Sequence, residues 1–148
     1  MRERVLVARP PEAVWAYTQD WTRRREWDAA ILKVEILSSG PERAVRFRTR
    51  GMRAVARYRA DHPPARTSLA LEDVRSWFVS GGGGSWSYEA EDGGTRWTQV
   101  NTLTFRTAVA RWVLGRAVER NLLASTRRSM ARAKAILEAE GGPSEAKN

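Results

Sequence analysis

The chain has 148 residues, a formal net charge of +9, one histidine and no cysteine. That length suits one domain, able to bury roughly 70% of its extended-chain surface without covalent staples. The missing cysteines exclude disulfides, thiolate metal sites and thiol nucleophiles, and one histidine leaves almost no metal site of the usual kind.

Met1 to Pro10 alternates charged and apolar residues and has no apolar run of the signal-peptide type. No stretch approaches the ~20 apolar residues of a spanning helix, so a soluble, cytoplasmic protein is expected. Arg2 to Ala8 predicts a strand, with Val5 and Val7 on one face and Leu6 on the other. Pro10-Pro11 ends it, and Pro11 suits the first turn of a helix, where its missing N–H costs nothing. Glu12 follows where a carboxylate favours the helix dipole. Ala13, Val14 and Tyr17 begin an apolar stripe, and Asp20 reads as the cap of a second short helix over Trp21 to Trp27.

From Ile31 the period becomes two. Strands are expected over Ile31 to Ser38, Ala44 to Thr49, Ala54 to Ala60, Thr67 to Asp73, a segment holding Trp86, Tyr88 and Ala90, and Thr95 to Phe105. Gly40-Pro41, His62-Pro63-Pro64 and Asp92-Gly93-Gly94 are the turns between them. Such alternation means an antiparallel sheet with one face buried and one wet. The wet face of the third and fourth strands carries Arg46, Arg48, Arg50, Arg53, Arg57 and Arg59. Exposed strands often carry charge that discourages edge pairing, which is the plain reading of this ladder. From Ala108 the period is helical again: Val109, Val113, Ala117, Arg120, Leu123, Met130, Ala133 and Leu137 lie near one stripe. A helix from Ala108 to Ala139 would be ~48 Å long, so a kink near Gly115 is expected. Gly141-Gly142-Pro143 stops it, and a disordered tail is expected over residues 141–148, leaving a single domain over 1–140.

Three groups of residues carry a family likeness: Pro11-Glu12-Ala13-Val14-Trp15-Ala16-Tyr17 with Asp20-Trp21 and Glu26-Trp27-Asp28; Gly93-Gly94-Thr95-Arg96; and the helix ending Ala135-Ile136-Leu137-Glu138. With the element order, they make the chain resemble the polyketide cyclase/dehydrase and lipid-transport family of the START-like (Bet v 1-like) superfamily. The resemblance covers essentially the whole chain. It implies an α+β helix-grip fold: a curved antiparallel sheet of about seven strands, two short helices, and one long C-terminal helix enclosing a cavity. It does not imply one chemistry, because the family includes lipid and sterol carriers, hormone binders, polyketide cyclases and quinone-binding proteins.

The inward face should hold Val45, Phe47, Ala54, Ala56, Tyr58, Trp86, Tyr88, Trp97, Gln99, Asn101 and Leu103. Small residues (Ala54, Ala56, Ala60) beside large aromatics leave room for a pocket, with Tyr58, Gln99 and Asn101 as its few polar groups. A filled core with satisfied polar groups is the alternative. The candidate ligand-binding residues are Phe47, Ala56, Tyr58, Trp86, Tyr88, Trp97, Gln99 and Asn101 on the sheet and Leu123 on the long helix. No cofactor is expected. His62 reads as a loop histidine, and Asp28 as a cap or the partner of a nearby arginine. Gly81 to Gly84 lacks the Lys-Ser/Thr of a phosphate loop and reads as a turn or strand kink near the cavity mouth.

Three functions fit. One is binding or transport of a hydrophobic molecule, such as a lipid, a quinone or an aromatic polyketide. The second is a cyclase-like enzyme, which an ionisable pair on the concave face would favour. The third is an anionic partner on the arginine face, nucleic acid or an acidic protein, with nucleic acid disfavoured because no aromatics are interleaved there for base stacking. Trp112-Val113-Leu114, flanked by Arg106, Arg111 and Arg116, could touch an acidic membrane or pack on the sheet. Arginine in place of lysine suits phosphate and carboxylate partners, and only Lys33, Lys134 and Lys147 are lysine.

Overall fold

In a computed structural model of the protein, residues 1–141 are described, apart from the side chain of Ala60. The expected tail from 142 onward lies outside the described residues. In chain order the elements are β1 (Arg2–Val7), α1 (Pro11–Thr18), α2 (Arg24–Trp27), β2 (Lys33–Ser38), β3 (Ala44–Arg48), β4 (Arg53–His62), β5 (Arg66–Arg75), β6 (Val79–Glu91), β7 (Gly94–Phe105) and α3 (Ala108–Glu140).

One seven-stranded sheet has the order β1-β7-β6-β5-β4-β3-β2, with every neighbouring pair antiparallel. It is a meander from β2 to β7, and β1 closes beside β7. Register follows the alternation: Val5 sits opposite Trp97, Trp97 opposite Tyr88, and Phe47 opposite Ala54. Along β3 to β7 one side is therefore mostly apolar and buried, while the edge strand β2 stays largely exposed. Register shifts interrupt β2–β3, β4–β5 and β6–β7, and bulges of this kind bend the sheet toward its concave side.

The second helix and β6 differ in extent from the sequence reading, and β2 begins at Lys33 and not at Ile31. The second helix is shorter, because the Asp20 carboxylate accepts hydrogen bonds from Thr22 N (2.9 Å) and Thr22 Oγ1 (2.6 Å). Asp20 thus makes a local turn over residues 21–23 and does not cap a helix there. β6 is longer, running through Gly81 to Gly84 as a paired strand between β5 and β7. Gly82 has φ +152°, and a Cβ on Gly83 would lie 2.7 Å from the Leu69 carbonyl oxygen, so only glycine allows this close strand approach.

The concave face is covered by α1, α2 and the C-terminal half of α3. Trp21 stacks on Phe47 of β3 (5.8 Å between ring centres), Trp27 meets Trp97 of β7 edge-on (5.7 Å), and Trp15 Nε1 donates to Thr67 Oγ1 of β5 (3.0 Å). The three indoles of the helix pair thus reach three different strands. Helix α3 has 33 residues, about 50 Å, and passes Gly115 without a break. Thr126, Ser129, Met130, Ala133 and Leu137 form its buried stripe. Val109 and Val113, expected on that stripe, are exposed, because the sheet does not extend under the first turns of so long a helix.

Candidate functional site

The polar groups of the concave face divide into two sets. The first is closed upon itself. Trp21 Nε1 donates to Tyr58 Oη (2.7 Å), and Tyr58 Oη donates to Gln19 Oε1 (2.9 Å). Gln19 Nε2 donates to Tyr88 Oη (2.7 Å), which lies 2.7 Å from Thr18 Oγ1, and Thr18 Oγ1 donates to the Val14 carbonyl (2.8 Å). Thr18 spends its one proton on Val14, so Tyr88 is the donor in that pair. Burial pushes the Tyr58 and Tyr88 phenols up from their ordinary value. Both stay protonated and act as structural links between α1 and the sheet.

The second set lines an open cavity of about 160 Å³ between the sheet, α2 and α3. Most of its sheet wall is apolar: Phe47, Ala56, Leu69, Leu71, Trp86 and Leu103. Gly83 and Gly84 complete this wall. A Cβ on Gly84 would sit 3.1 Å from the Trp86 ring and 3.3 Å from Asn101 Oδ1, so its absence gives both side chains their place. The opposite wall is Trp21, Trp27 and Ile31. Exposed Ala30 and Thr102 mark where the cavity reaches the surface.

A polar seam runs along the α3 side of this cavity. Gln99 Nε2 donates to Asn101 Oδ1 (3.2 Å), and Asn101 Nδ2 donates to Thr126 Oγ1 (3.3 Å). One turn further on α3, Ser129 Oγ donates to Asp28 Oδ1 (3.4 Å), and Asp28 Oδ2 accepts from Arg24 Nε (3.1 Å). Arg24 opens α2 and Asp28 caps its end, with Asp28 N bonded to the Arg24 carbonyl (2.9 Å), so the four-residue spacing of one turn makes them neighbours. Their side chains are only 8% and 13% exposed. The guanidinium lies over Trp27 (4.2 Å), Trp21 (4.9 Å) and Trp86 (5.8 Å), three ring faces that offset part of its desolvation. The indole N–H groups of Trp27 and Trp86 have no acceptor among the described residues.

Of the residues proposed from sequence, Phe47, Ala56, Trp86, Gln99 and Asn101 lie on the cavity wall. Tyr58, Tyr88 and Trp97 lie deeper, in the closed network and the aromatic stack where Tyr88 and Trp97 pack at 6.4 Å. Leu123 is half-buried beside the cavity-lining Leu122. Sequence reasoning did not find Arg24, Thr126 and Ser129. The available signals were the Arg24/Asp28 spacing within a tryptophan-rich helix and the hydroxyls of α3 in phase with Met130 and Ala133. The arginine partner expected for Asp28 is Arg24.

Comparison with known proteins gives one family: its model, described as polyketide cyclase / dehydrase and lipid transport, matches residues 1–138. No curated protein matches the chain. Among solved structures, the chain is similar to the Zhui aromatase/cyclase from Streptomyces sp. R1128 (TM-score 0.77, 23% identity, covering 96% of this chain and 97% of that one). It is also similar to a START superfamily protein from Mycobacterium smegmatis (TM-score 0.74, 15% identity, 94% and 97% covered). A third likeness is to the di-domain aromatase/cyclase StfQ of the steffimycin biosynthetic pathway (TM-score 0.78, 16% identity). It covers 96% of this chain but 52% of that one. At these identities the likenesses show the fold.

Proposed function

Since the chain belongs to the polyketide cyclase/dehydrase and lipid-transport family, we propose that it holds an oxygen-bearing apolar molecule in the cavity between sheet and α3. The molecule is of the lipid, quinone or aromatic polyketide class. The observation that carries this reading is the division of the wall: apolar over most of the sheet, polar along the seam from Arg24 and Asp28 to Gln99 and Asn101 of β7. An apolar body gains from burial against Phe47, Leu69 and Trp86, while its oxygens take hydrogen bonds from the seam. The unpaired N–H donors of Trp27 and Trp86 also suit a ligand rich in acceptors. A cavity of about 150 Å³ admits benzene, so the resting cavity fits about one ring, and a longer ligand extends toward Ala30 and Thr102.

One observation favours a second reading, a cyclase-like enzyme: an ionisable pair, Arg24 and Asp28, stands in the cavity wall. With a polyketone bound there, the Asp28 carboxylate would take a proton from a carbon between two carbonyls. Arg24 would stabilise the resulting enolate. The enolate carbon would bond to a second carbonyl carbon, whose oxygen takes the proton back from Asp28 to give an alcohol. Asp28 would then remove the remaining hydrogen of the attacking carbon and return it to the departing hydroxyl, so that water leaves and a carbon–carbon double bond forms.

Native mass spectrometry of gently purified protein, then of protein incubated with quinones, fatty acids and a polyketone, tests both readings. A stoichiometric adduct recovered unchanged is the result expected for a carrier. Recovery of the polyketone lighter by one water, abolished in Asp28→Asn, would establish the enzyme. Gly84→Val pushes Trp86 into the cavity and should abolish either result. Absence of every adduct from the wild type, or undiminished adduct in Gly84→Val, would refute the cavity reading.

A further inference from the structure

The arginine ladder is not uniform. Arg46 pairs with Glu35 (2.8 Å), and Arg57 and Arg59 share Glu72 (2.7 and 2.6 Å). Four other cations form a row across β2–β5 with no such relief: Lys33 sits directly opposite Arg48, Arg48 opposite Arg53, and Arg53 opposite Arg75. Like charges placed directly across a sheet repel. Among the described residues no carboxylate lies within ion-pair distance of any of the four. They surround a shallow hollow of about 430 Å³ whose acids are Glu35, already committed to Arg46, and Asp73.

A second observation lies at the same end of the sheet. The chain leaves Arg75 into the turn before β6, where Trp77 is 97% exposed. Arg106 donates to the Ser76 and Val74 carbonyls (2.7 and 3.3 Å), tying the β7–α3 junction to that turn. The first turns of α3 then expose Trp112 (86%), Val109 and Val113. From Phe105 to Val118 there are three arginines and no acidic residue. Large apolar side chains gathered in the open beside an unneutralised cation row mark an interaction surface. The β3–β4 turn at this end also supplies Thr49 and Met52 to the cavity wall.

We propose that this end of the molecule docks on a membrane surface rich in anionic phospholipid, with Trp77 and Trp112 in the headgroup layer and Lys33, Arg48, Arg53 and Arg75 over the phosphates. The charge complementarity comes from the row, and the depth from the indoles, whose rings and N–H groups suit the water–lipid boundary. A folded partner needs a shaped socket. Trp77, 97% exposed, touches almost nothing that could shape one, whereas a fluid headgroup layer needs none.

The test is flotation of the full chain with vesicles of equal parts phosphatidylcholine and phosphatidylglycerol, and with phosphatidylcholine alone. Binding is expected to the mixed vesicles only, to weaken with salt, and to fall about tenfold or more in Trp77→Ser/Trp112→Ser and in Arg48→Glu/Arg53→Glu. Arg57→Ala/Arg59→Ala, which removes paired cations, should bind like the wild type. Coincident thermal unfolding confirms that the tryptophan variant is folded, as its exposure predicts; Arg75→Glu is the second probe. Failure of the wild type to float, equal binding to neutral vesicles, or full binding by the tryptophan variant overturns the proposal. So does a concentration-dependent dimer, or capture by an acidic protein in place of vesicles, that disappears in the same variant.

Discussion

Tyr58 and Tyr88 show how one buried hydroxyl can serve architecture or ligand. On an inward face either phenol has the composition of a pocket group, yet each already has both a donor and an acceptor from α1 and its flank. Burial is the main cause raising both phenols above 10.0, opposed for Tyr88 by the hydrogen bond from the Gln19 amide and for Tyr58 by the Arg43 charge. The sign follows: unfolded phenols ionise near 10.0 while the folded ones hold their protons. The stability that these tyrosines contribute is complete below pH 10 and is lost as pH rises from there toward the folded values. Urea midpoints measured against pH should therefore fall above about pH 10. Tyr88→Phe should flatten that fall and cost about 1–2 kcal/mol at neutral pH, since the Gln19 amide loses its buried acceptor. An unchanged slope would mean that Tyr88 is not shielded as the hydrogen-bond chain requires. Arg24 and Asp28 are the opposite case, side chains with little exposure that still border open volume.

At the scale of elements, α3 has two halves with different partners. Its C-terminal half is fastened to the edge strand β1: Lys134 Nζ donates to the Leu6 carbonyl (2.8 Å), and the Glu138 carboxylate accepts from Ala8 N (2.9 Å) and from Lys134 Nζ (2.5 Å). These contacts cover polar groups that an open sheet edge would otherwise offer to another chain. They also hold the Glu138 carboxyl below its usual range, with Lys134 the larger cause. Glu138→Ala should raise amide hydrogen exchange at Ala8 and in the last turns of α3 while leaving β4 and β5 unchanged. Equal protection throughout would show that apolar packing by Met130 and Leu137 suffices. Among the described residues the N-terminal half shows no such fastening to β1, and its exposed valines and Trp112 belong to the proposed docking end. Strand β6 joins the two regions: its glycines let β5 and β7 approach closely, and Gly84 leaves Trp86 its place on the cavity wall.

For the whole molecule, the net charge of +9 is unevenly neutralised. Ion pairs hold Arg46, Arg57, Arg59 and Arg96, while the row from Lys33 to Arg75 repels itself. Screening weakens repulsion between exposed charges separated by about a Debye length more than it weakens close pairs. Moderate salt should therefore raise the melting temperature of the wild type, and Arg53→Glu should raise it at low salt. A melting temperature that falls with salt would place the ion pairs ahead of the repelling row.

Much of this protein was legible from the amino-acid order. The period-two strands, the Pro11 helix start, the long final helix and the family likeness determined the helix-grip fold, because side-chain periodicity and turn chemistry are local properties of the chain. The inward face was legible for the same reason: the register keeps Phe47, Trp86 and Gln99 on one side. Which inward residues border open volume was decided only in three dimensions. Tyr58 and Tyr88 go to the closed network because α1 brings Thr18 and Gln19 over them, while Thr126 and Ser129 of α3 complete the seam from 25 and 101 residues away along the chain. The cation row and the two exposed indoles likewise come together only through pairing of β2 to β5 and the tie from Arg106. Periodicity says which way a side chain faces; what stands opposite it depends on how the helices cross the sheet.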